Sequence, residues 1–366
     1  MITFSDLEYI VIVLALISLF IISLRKRNED SVNTVLSIRS GGGTSALDVN
    51  MTNSMKGLAC VMILMSHWGQ RRFDVDMPWG ISKLVWNLFA NIALVWFMWS
   101  SGYGLSLKKS ETQVRIDSLW FKRLKKVYLP CLFACAFCTL CYVFLPVKYD
   151  PLQSDVMWIS SDIYYLHNIS IPGLVEVLLH TFGWKDWYVI CIIIFYSLFY
   201  FSIWLDNNSS FSQTTWLFIL MCVYYVWAFF YFGREEGHFF RYCWVFFVSH
   251  VVAKWDSYTN KRYPLLFSLI LCMTLLFEGK LMLWAFFFAI IAVALFSIIN
   301  QYYTVDGKIL LGLGSISYFF YLLHARICYT ILVYLNIDSI VFWTLLSVSI
   351  ASLVKFFYDK LIFSKL

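Results

Sequence analysis

Long apolar runs, separated by short polar or basic segments, make up most of this chain. They lie near 7–24, 54–70, 84–107, 127–146, 187–205, 213–232, 239–253, 264–277, 281–299, 309–333 and 340–358. A helix of about 20 apolar residues crosses the hydrocarbon core of a bilayer, so runs of this kind indicate transmembrane helices. We therefore predict an all-α, polytopic membrane protein with about eleven transmembrane helices. A weaker apolar stretch at 171–183 is expected to lie in the interface or to re-enter the membrane.

The basic residues set the orientation of these helices. The first apolar run precedes Arg25-Lys26-Arg27, whereas a cleavable signal peptide carries its positive charge before the apolar segment, so this run indicates a permanent anchor. With the N-terminus outside, alternation places nineteen lysines and arginines in internal segments and eight in external ones. Cytoplasmic loops are enriched in Lys and Arg, so we predict an external N-terminus and a cytoplasmic C-terminus.

The pattern divides the chain into three parts. Residues 1–27 form an N-terminal transmembrane anchor, and residues 28–51, which include a glycine- and serine-containing stretch, form a flexible cytoplasmic linker. Residues 52–366 form a ten-helix core. Asn53 or Ser54 is the expected cap of its first helix.

Composition supports a membrane protein and narrows the function classes. The chain is 61% hydrophobic and 20% aromatic, with 14% charged residues and a mean hydropathy of +0.72. A soluble domain of 366 residues could not bury so much apolar surface. The net charge of +6 arises from loops on one side, and no basic run interleaved with aromatics indicates a nucleic-acid partner. The ten cysteines lie mostly in apolar runs without nearby His or carboxylate ligands, so we predict no metal site.

Two ionisable residues share one face of the first core helix. Lys56 and His67 are eleven residues apart, which is about 1100° of rotation and about 16 Å along a helix axis. An ionisable side chain within a membrane span is costly and indicates a functional site by default. The span Gly57–Gln70 is short for a bilayer, so we expect a hydrated cavity that opens outward with His67 near its floor. Arg71 and Arg72 would then position an acidic acceptor or anchor the outer end of the helix.

A second polar stripe lies on a late helix. Ser317, Tyr321 and His324 recur at i, i+4 and i+7, so their side chains share a face. They either form interhelical hydrogen bonds or make a second wall of the cavity, with His324 orienting a substrate. Arg326 lies nearly opposite His324 on the same helix.

Carboxylates that could orient His67 lie in the long external segment before a later span. Asp186 directly precedes Trp187-Tyr188, and Glu176 lies one turn before His180. A carboxylate partner would stabilise an imidazolium formed during a reaction. The alternative is that these are solvated loop residues, which is the commoner state of an acidic side chain.

Five segments in a fixed order resemble one known family. They are Lys56-x10-His67, Trp96-Phe97-Met98-Trp99-Ser100-Ser101-Gly102-Tyr103-Gly104, Phe121-Lys122-Arg123-Leu124-Lys125-Lys126-Val127-Tyr128-Leu129-Pro130, Trp187-Tyr188 and Ser317-Tyr318-Phe319-Phe320-Tyr321-Leu322-Leu323-His324. Together they resemble the acyltransferase type 3 family of integral membrane acyltransferases, over roughly residues 52 to 358. The chain departs from that family in having Lys108-Lys109 where many members carry Arg-x-x-Arg, and in its extra N-terminal anchor.

The resemblance implies an O-acyltransferase, most simply an O-acetyltransferase, in the plasma or inner membrane. It would move an acyl group from cytoplasmic acetyl-CoA or another acyl-CoA to a hydroxyl of an extracytoplasmic polysaccharide or lipid-linked glycan, such as a capsule or exopolysaccharide. The implied catalytic residues are His67 and His324. The implied acyl-CoA-binding residues are Lys56, Lys108, Arg123 and Lys126, unless these are ordinary positive-inside charges. The implied acceptor-binding residues are Arg71, Arg72, Trp187, Tyr188, Tyr321 and Ser317.

Two other function classes are compatible with the helices alone. A polysaccharide exporter or lipid-linked sugar flippase, or a membrane glycan polymerase, would also have many spans and external basic residues. The exporter or flippase has no need for the Lys-x10-His face, and the polymerase is expected to use lipid-linked donors and large external loops with essential arginines. The expected partners are acyl-CoA, a carbohydrate acceptor and the lipid bilayer, with a homo-oligomer or a glycan-assembly complex compatible with the sequence.

Overall fold

The computed structural model describes residues 4–27, 48–72, 81–107, 116–148, 161–233, 238–256, 291–300 and 302–362. The helices are α1 (Phe4–Ser23), α2 (Val49–Arg72), α3 (Ile81–Leu107), α4 (Ile116–Phe144), α5 (Ser161–His167), α6 (Ile171–Thr181), α7 (Trp187–Asn208), α8 (Gln213–Phe232), α9 (His238–Arg241), α10 (Cys243–Asp256), α11 (Ile291–Asn300), α12 (Lys308–Leu323), α13 (Tyr329–Leu335) and α14 (Ile340–Leu361). A π-helical turn, His324–Cys328, joins α12 to α13. Two short strands, β1 (Leu24–Lys26) and β2 (Tyr303–Val305), form a ribbon.

The predicted all-α, polytopic class is confirmed. Within the described residues, six helical segments are long and apolar enough to cross a membrane: Leu88–Leu107, Trp120–Phe144, Trp187–Asn208, Gln213–Phe232, Lys308–Leu335 and Ile340–Leu361. The run predicted at 264–277 lies outside the described residues. The total of eleven helices and their orientation stay predictions. The stretch expected to lie in the interface is the 11-residue helix α6, about 16 Å long and too short to span.

The first core helix begins earlier than expected. Its N-terminal cap is Asp48, whose carboxylate accepts the backbone N–H of Met51 at 2.6 Å. The predicted cap at Asn53 or Ser54 is wrong, because both residues lie within the helix, where the Ser54 hydroxyl donates to the Asn50 carbonyl. The helix also takes in Val49–Met51, which the pattern placed in the linker.

The N-terminal helix α1 packs directly on the core. The strand β1 that follows it pairs antiparallel with β2, with Leu24 opposite Val305. At the other end of α1, the Glu8 carboxylate accepts hydrogen bonds from the Ser339 hydroxyl at 3.1 Å and from the Ile340 backbone N–H at 3.3 Å. These two groups lie at the start of α14, so both ends of α1 are attached to core elements.

Helices α2 and α12 run parallel in close contact, and two glycines permit this. A Cβ on Gly314 would lie 2.1 Å from the Asn53 carbonyl oxygen, and one on Gly57 would lie 2.9 Å from the Leu310 carbonyl oxygen. Small residues allow membrane helices to approach closely in this way. Further along, the Cys60 thiol donates to the Ser317 carbonyl at 3.2 Å, which continues the same register. The register places the next turns of α2 beside the end of α12.

Candidate active site

The two predicted catalytic histidines stack on each other. His67 lies on α2 and His324 directly follows α12, each ten residues beyond the glycine of its own helix contact. Their ring centroids are 5.2 Å apart with an interplanar angle of 28°. His67 is half-buried, whereas His324 is 2% exposed. The close packing of α2 on α12 thus brings together two side chains that are distant in the sequence.

Hydrogen bonds fix which nitrogen of His324 carries the proton. Its Nδ1 lies 3.0 Å from the Phe320 carbonyl and 2.7 Å from the Tyr321 carbonyl, and carbonyls only accept, so Nδ1 is the donor. The neutral ring therefore carries its lone pair on Nε2, which has no hydrogen-bond partner among the described residues. The Trp343 indole of α14 donates to the His324 carbonyl at 2.9 Å, so it attaches the π-helical turn to α14.

Arg326 points away from His324, as its position in the sequence indicates. Its guanidinium lies 3.6 Å from the Asp186 carboxylate and donates to the Cys135 sulfur at 3.2 Å. Asp186 also caps α7 by accepting the Val189 backbone N–H. Burial raises the pKa of the Asp186 carboxyl, and the charge of Arg326 opposes that shift. The solvated state considered for Asp186 is wrong, since this residue is buried and paired with Arg326. Asp186 thus links α7 to the π-helical turn.

An aromatic wall lies beside the histidines. Tyr188 and Tyr321 have ring centroids 4.8 Å apart, and Tyr321 lies 6.1 Å from His324. Phe97 of α3 lies edge-on to both tyrosines. Three of the predicted residues therefore come together here. Trp187, the neighbouring predicted residue, instead stacks on Tyr242 with an interplanar angle of 24°.

The basic residues of α2 and α4 meet at the other end of α2. Lys56 and Arg123 are both half-buried and close enough for their charges to interact, and Arg123 lies near the Tyr200 hydroxyl. Lys126, on the same helix as Arg123, is exposed. The structure therefore groups two of the four predicted donor-binding residues and leaves Lys126 at the surface. The fourth, Lys108, lies outside the described residues.

The other predicted acceptor-binding residues lie at the end of α2 and in the contact between α2 and α12. Arg71 and Arg72 form the last two residues of α2, so they lie beyond His67 on the side away from Lys56. Ser317 is buried, and its carbonyl is the acceptor of the contact between α12 and α2. Among the described residues, Ser317 therefore contributes to the packing of α12 on α2.

A row of hydroxyl groups connects the basic end with the histidines. Ser101 of α3 lies near the hydroxyls of both Tyr188 and Tyr196 of α7, and Tyr200 continues the row to Arg123. Ser101 and Tyr196 were not among the predicted site residues. The signal was present, because tyrosines at 188, 196 and 200 fall on one face of a helix.

Within the part of the chain that the structure describes, no cluster of three or more His, Cys, Asp or Glu side chains is arranged to hold a metal ion, and every cysteine is free. The functional groups are thus imidazoles, hydroxyls and cations.

Comparison with known proteins identifies the family of this chain. Neither the curated proteins nor the solved structures contain a match to this chain. A family model described as an acyltransferase domain matches residues 52–356, which is most of the chain and contains every element that contributes to the histidine pair. The chain therefore belongs to the acyltransferase type 3 family and is a membrane acyltransferase.

Proposed function

We propose that this protein is an O-acetyltransferase that uses cytoplasmic acetyl-CoA and acylates a hydroxyl of an extracytoplasmic polysaccharide or lipid-linked glycan. The observation that carries the proposal is the histidine pair. A buried acceptor without a protein partner costs about 1–3 kcal/mol, and a substrate hydroxyl at His324 Nε2 would offset that cost. His67 stacks against it from the helix that also carries Lys56.

The basic end suits the donor. The nucleotide part of acetyl-CoA is anionic, and Lys56 with Arg123 offers two adjacent cations to it. The pantetheine arm contains amides, which can exchange hydrogen bonds with Ser101, Tyr188 and Tyr196. The donor would then lie along α2 with its thioester near the histidines, about 16 Å from Lys56.

The chemistry that we assign to the pair is general-base catalysis. The acceptor oxygen attacks the thioester carbonyl carbon, a C–O bond forms, and His67 takes the hydroxyl proton. The C–S bond breaks, and the coenzyme A thiolate leaves and takes the proton from the His67 imidazolium, which restores the neutral base. His324, held as the neutral Nε2 acceptor, accepts a hydrogen bond from a second hydroxyl of the acceptor and so orients the sugar beside His67.

Inside-out vesicles with radiolabelled acetyl-CoA test this proposal. We expect label to reach glycan with the wild-type protein and with His167→Ala, an exposed histidine of α5 whose ring contacts the Leu145 carbonyl. We expect none with His67→Ala, although that variant still binds acetyl-CoA. Equal labelling by wild type and His67→Ala, or no labelling by the wild type, would contradict the proposal. Loss of acetyl signals in the proton NMR spectrum of surface polysaccharide from a deletion strain would identify the acceptor.

A further inference from the structure

A cavity with several charged and hydroxyl side chains in its wall lies on the other side of the π-helical turn from the histidine pair. Its volume is about 200 Å³, and its walls come from α4, α5, α6, Lys185 and the turn. Arg326 and Ala325 line it, and they directly follow His324 in the chain. The cavity reaches solvent, because the Lys185 side chain in its wall is 44% exposed. It is thus an open space next to the proposed reaction centre.

An imidazole and a carboxylate form a fixed pair in this cavity. His180 Nδ1 lies 2.6 Å from an Asp162 carboxylate oxygen, and Asp162 is buried. The carboxylate accepts, so the ring donates from Nδ1 and, when neutral, presents Nε2 as an acceptor. Thr139 in the same wall exchanges a hydrogen bond with Thr181 at 2.7 Å. The wall therefore offers donors and acceptors at several close positions, which is the arrangement that a polyol needs.

The charges of the cavity are already balanced. Each of its basic side chains has a carboxylate partner: Lys185 lies 2.9 Å from Glu176, Arg326 lies 3.6 Å from Asp186, and His180 pairs with Asp162. An anionic ligand would have to compete with these carboxylates. A neutral ligand with several hydroxyls can accept from the cations and donate to the carboxylates without separating any pair.

We propose that this cavity binds a neutral sugar ring of the acceptor, across the π-helical turn from the unit that is acylated. The proposal rests on the proposed function and adds the place and the charge class of the acceptor. About seven water volumes fit in the cavity, which is the size of a single ring. Ala325 and Arg326 in its wall directly follow His324 in the chain, so the bound ring would lie across the π-helical turn from the histidine pair.

Saturation-transfer NMR on the purified full-length protein tests the proposal. The probes are methyl α-glucopyranoside, methyl α-galactopyranoside and glucuronic acid. We expect a neutral glycoside to bind the wild type, His180→Ala to weaken this binding about tenfold because a hydrogen-bonding group is lost, and His167→Ala to leave it unchanged. Binding of neither glycoside, no loss in His180→Ala, or tighter binding of glucuronic acid than of both glycosides would overturn it.

A conservative variant separates binding from folding. His180 joins α5 to α6 through Asp162, so His180→Ala could also loosen these helices. His180→Gln keeps a donor and an acceptor, and we expect it to bind the glycoside within about threefold of the wild type. A glutamine variant as weak as the alanine variant, with an unchanged unfolding temperature in both, would also count against a hydrogen-bonding role. Acetyl-CoA binding by the same samples tests the proposed function separately, since a failure there would leave the glycoside result standing.

Discussion

The substitution Gly314→Ala tests whether the contact between α2 and α12 sets the active geometry. The new Cβ would lie 2.1 Å from the Asn53 carbonyl oxygen and 2.6 Å from its carbon, both backbone atoms. Side-chain rotation cannot relieve such a contact. Ordinary contacts begin near 3.4 Å, so the two helices have to separate by about 1 Å or slide past each other.

A displacement of this size acts on the histidine pair, because His324 lies ten residues beyond Gly314 and His67 lies fourteen residues beyond Asn53. A misplacement of about 1 Å can cost about 100-fold in the rate of an enzymatic step, because the reacting groups no longer meet at the required distance and angle. We therefore expect Gly314→Ala to lower the acetyl-transfer rate about 100-fold. Lys56 and Arg123, the residues proposed to bind the donor, lie on α2 and α4, so acetyl-CoA affinity should change much less.

The same helix supplies a matched control. A Cβ on Gly312 would meet no atom within 4 Å, so Gly312→Ala adds the same methyl group without the contact. The assay compares acetyl transfer and acetyl-CoA binding for both variants in membrane vesicles, with protein amounts equalised. Transfer by Gly314→Ala at the rate of Gly312→Ala would refute the reasoning, because the glycine contact would then have no part in placing the histidines.

Three further predictions concern the site and the N-terminal helix. His67→Ala should lose about 10²–10⁴-fold in acetyl transfer with little change in acetyl-CoA binding, as expected for a general base, and kinetics with His167→Ala as control would show this. Retention of more than a tenth of the activity would exclude the role. Lys56→Ala should raise the acetyl-CoA concentration for half-maximal rate about tenfold without changing that for the acceptor. Lys125→Ala, at an exposed position of α4, should change neither concentration. An unchanged acetyl-CoA concentration in Lys56→Ala would remove Lys56 from the donor site. Glu8→Gln should destabilise the protein by about 1 kcal/mol, because α14 loses a charged acceptor at its N-terminus, and a thermal unfolding midpoint equal to that of the wild type would contradict this.

The sequence was sufficient for the helical membrane class and for the family. The apolar runs predicted the helical membrane class, and the spacing of Lys56 and His67 placed both on one helix, α2. The family motifs implied that His324 is the second residue of the candidate site, and its ring stacks on that of His67. These features depend on local periodicity and composition, which a single chain carries without any partner.

Contacts between elements that are distant in the chain could not be predicted from the sequence. Gly57 and Gly314 look like ordinary helix glycines until the two helices are seen in contact. Strand β1 has three residues, too few for a period-2 pattern to be visible. The role of Asp162 was not predicted, because its partner His180 lies on another helix. The burial of Asp186 was not predicted either, because its partner Arg326 is distant in the sequence. In each case the missing information was which neighbour a side chain would find.

The contact between α2 and α12 has a consequence for biosynthesis. It joins residues 257 positions apart, as the Cys60–Ser317 hydrogen bond illustrates. A nascent chain that has inserted its first helices already carries Lys56 and Arg123, yet it has no paired imidazoles until the ribosome has passed α12. Under the proposed function, a chain that terminates before His324 would therefore insert its first helices without being able to transfer an acetyl group from the thioester.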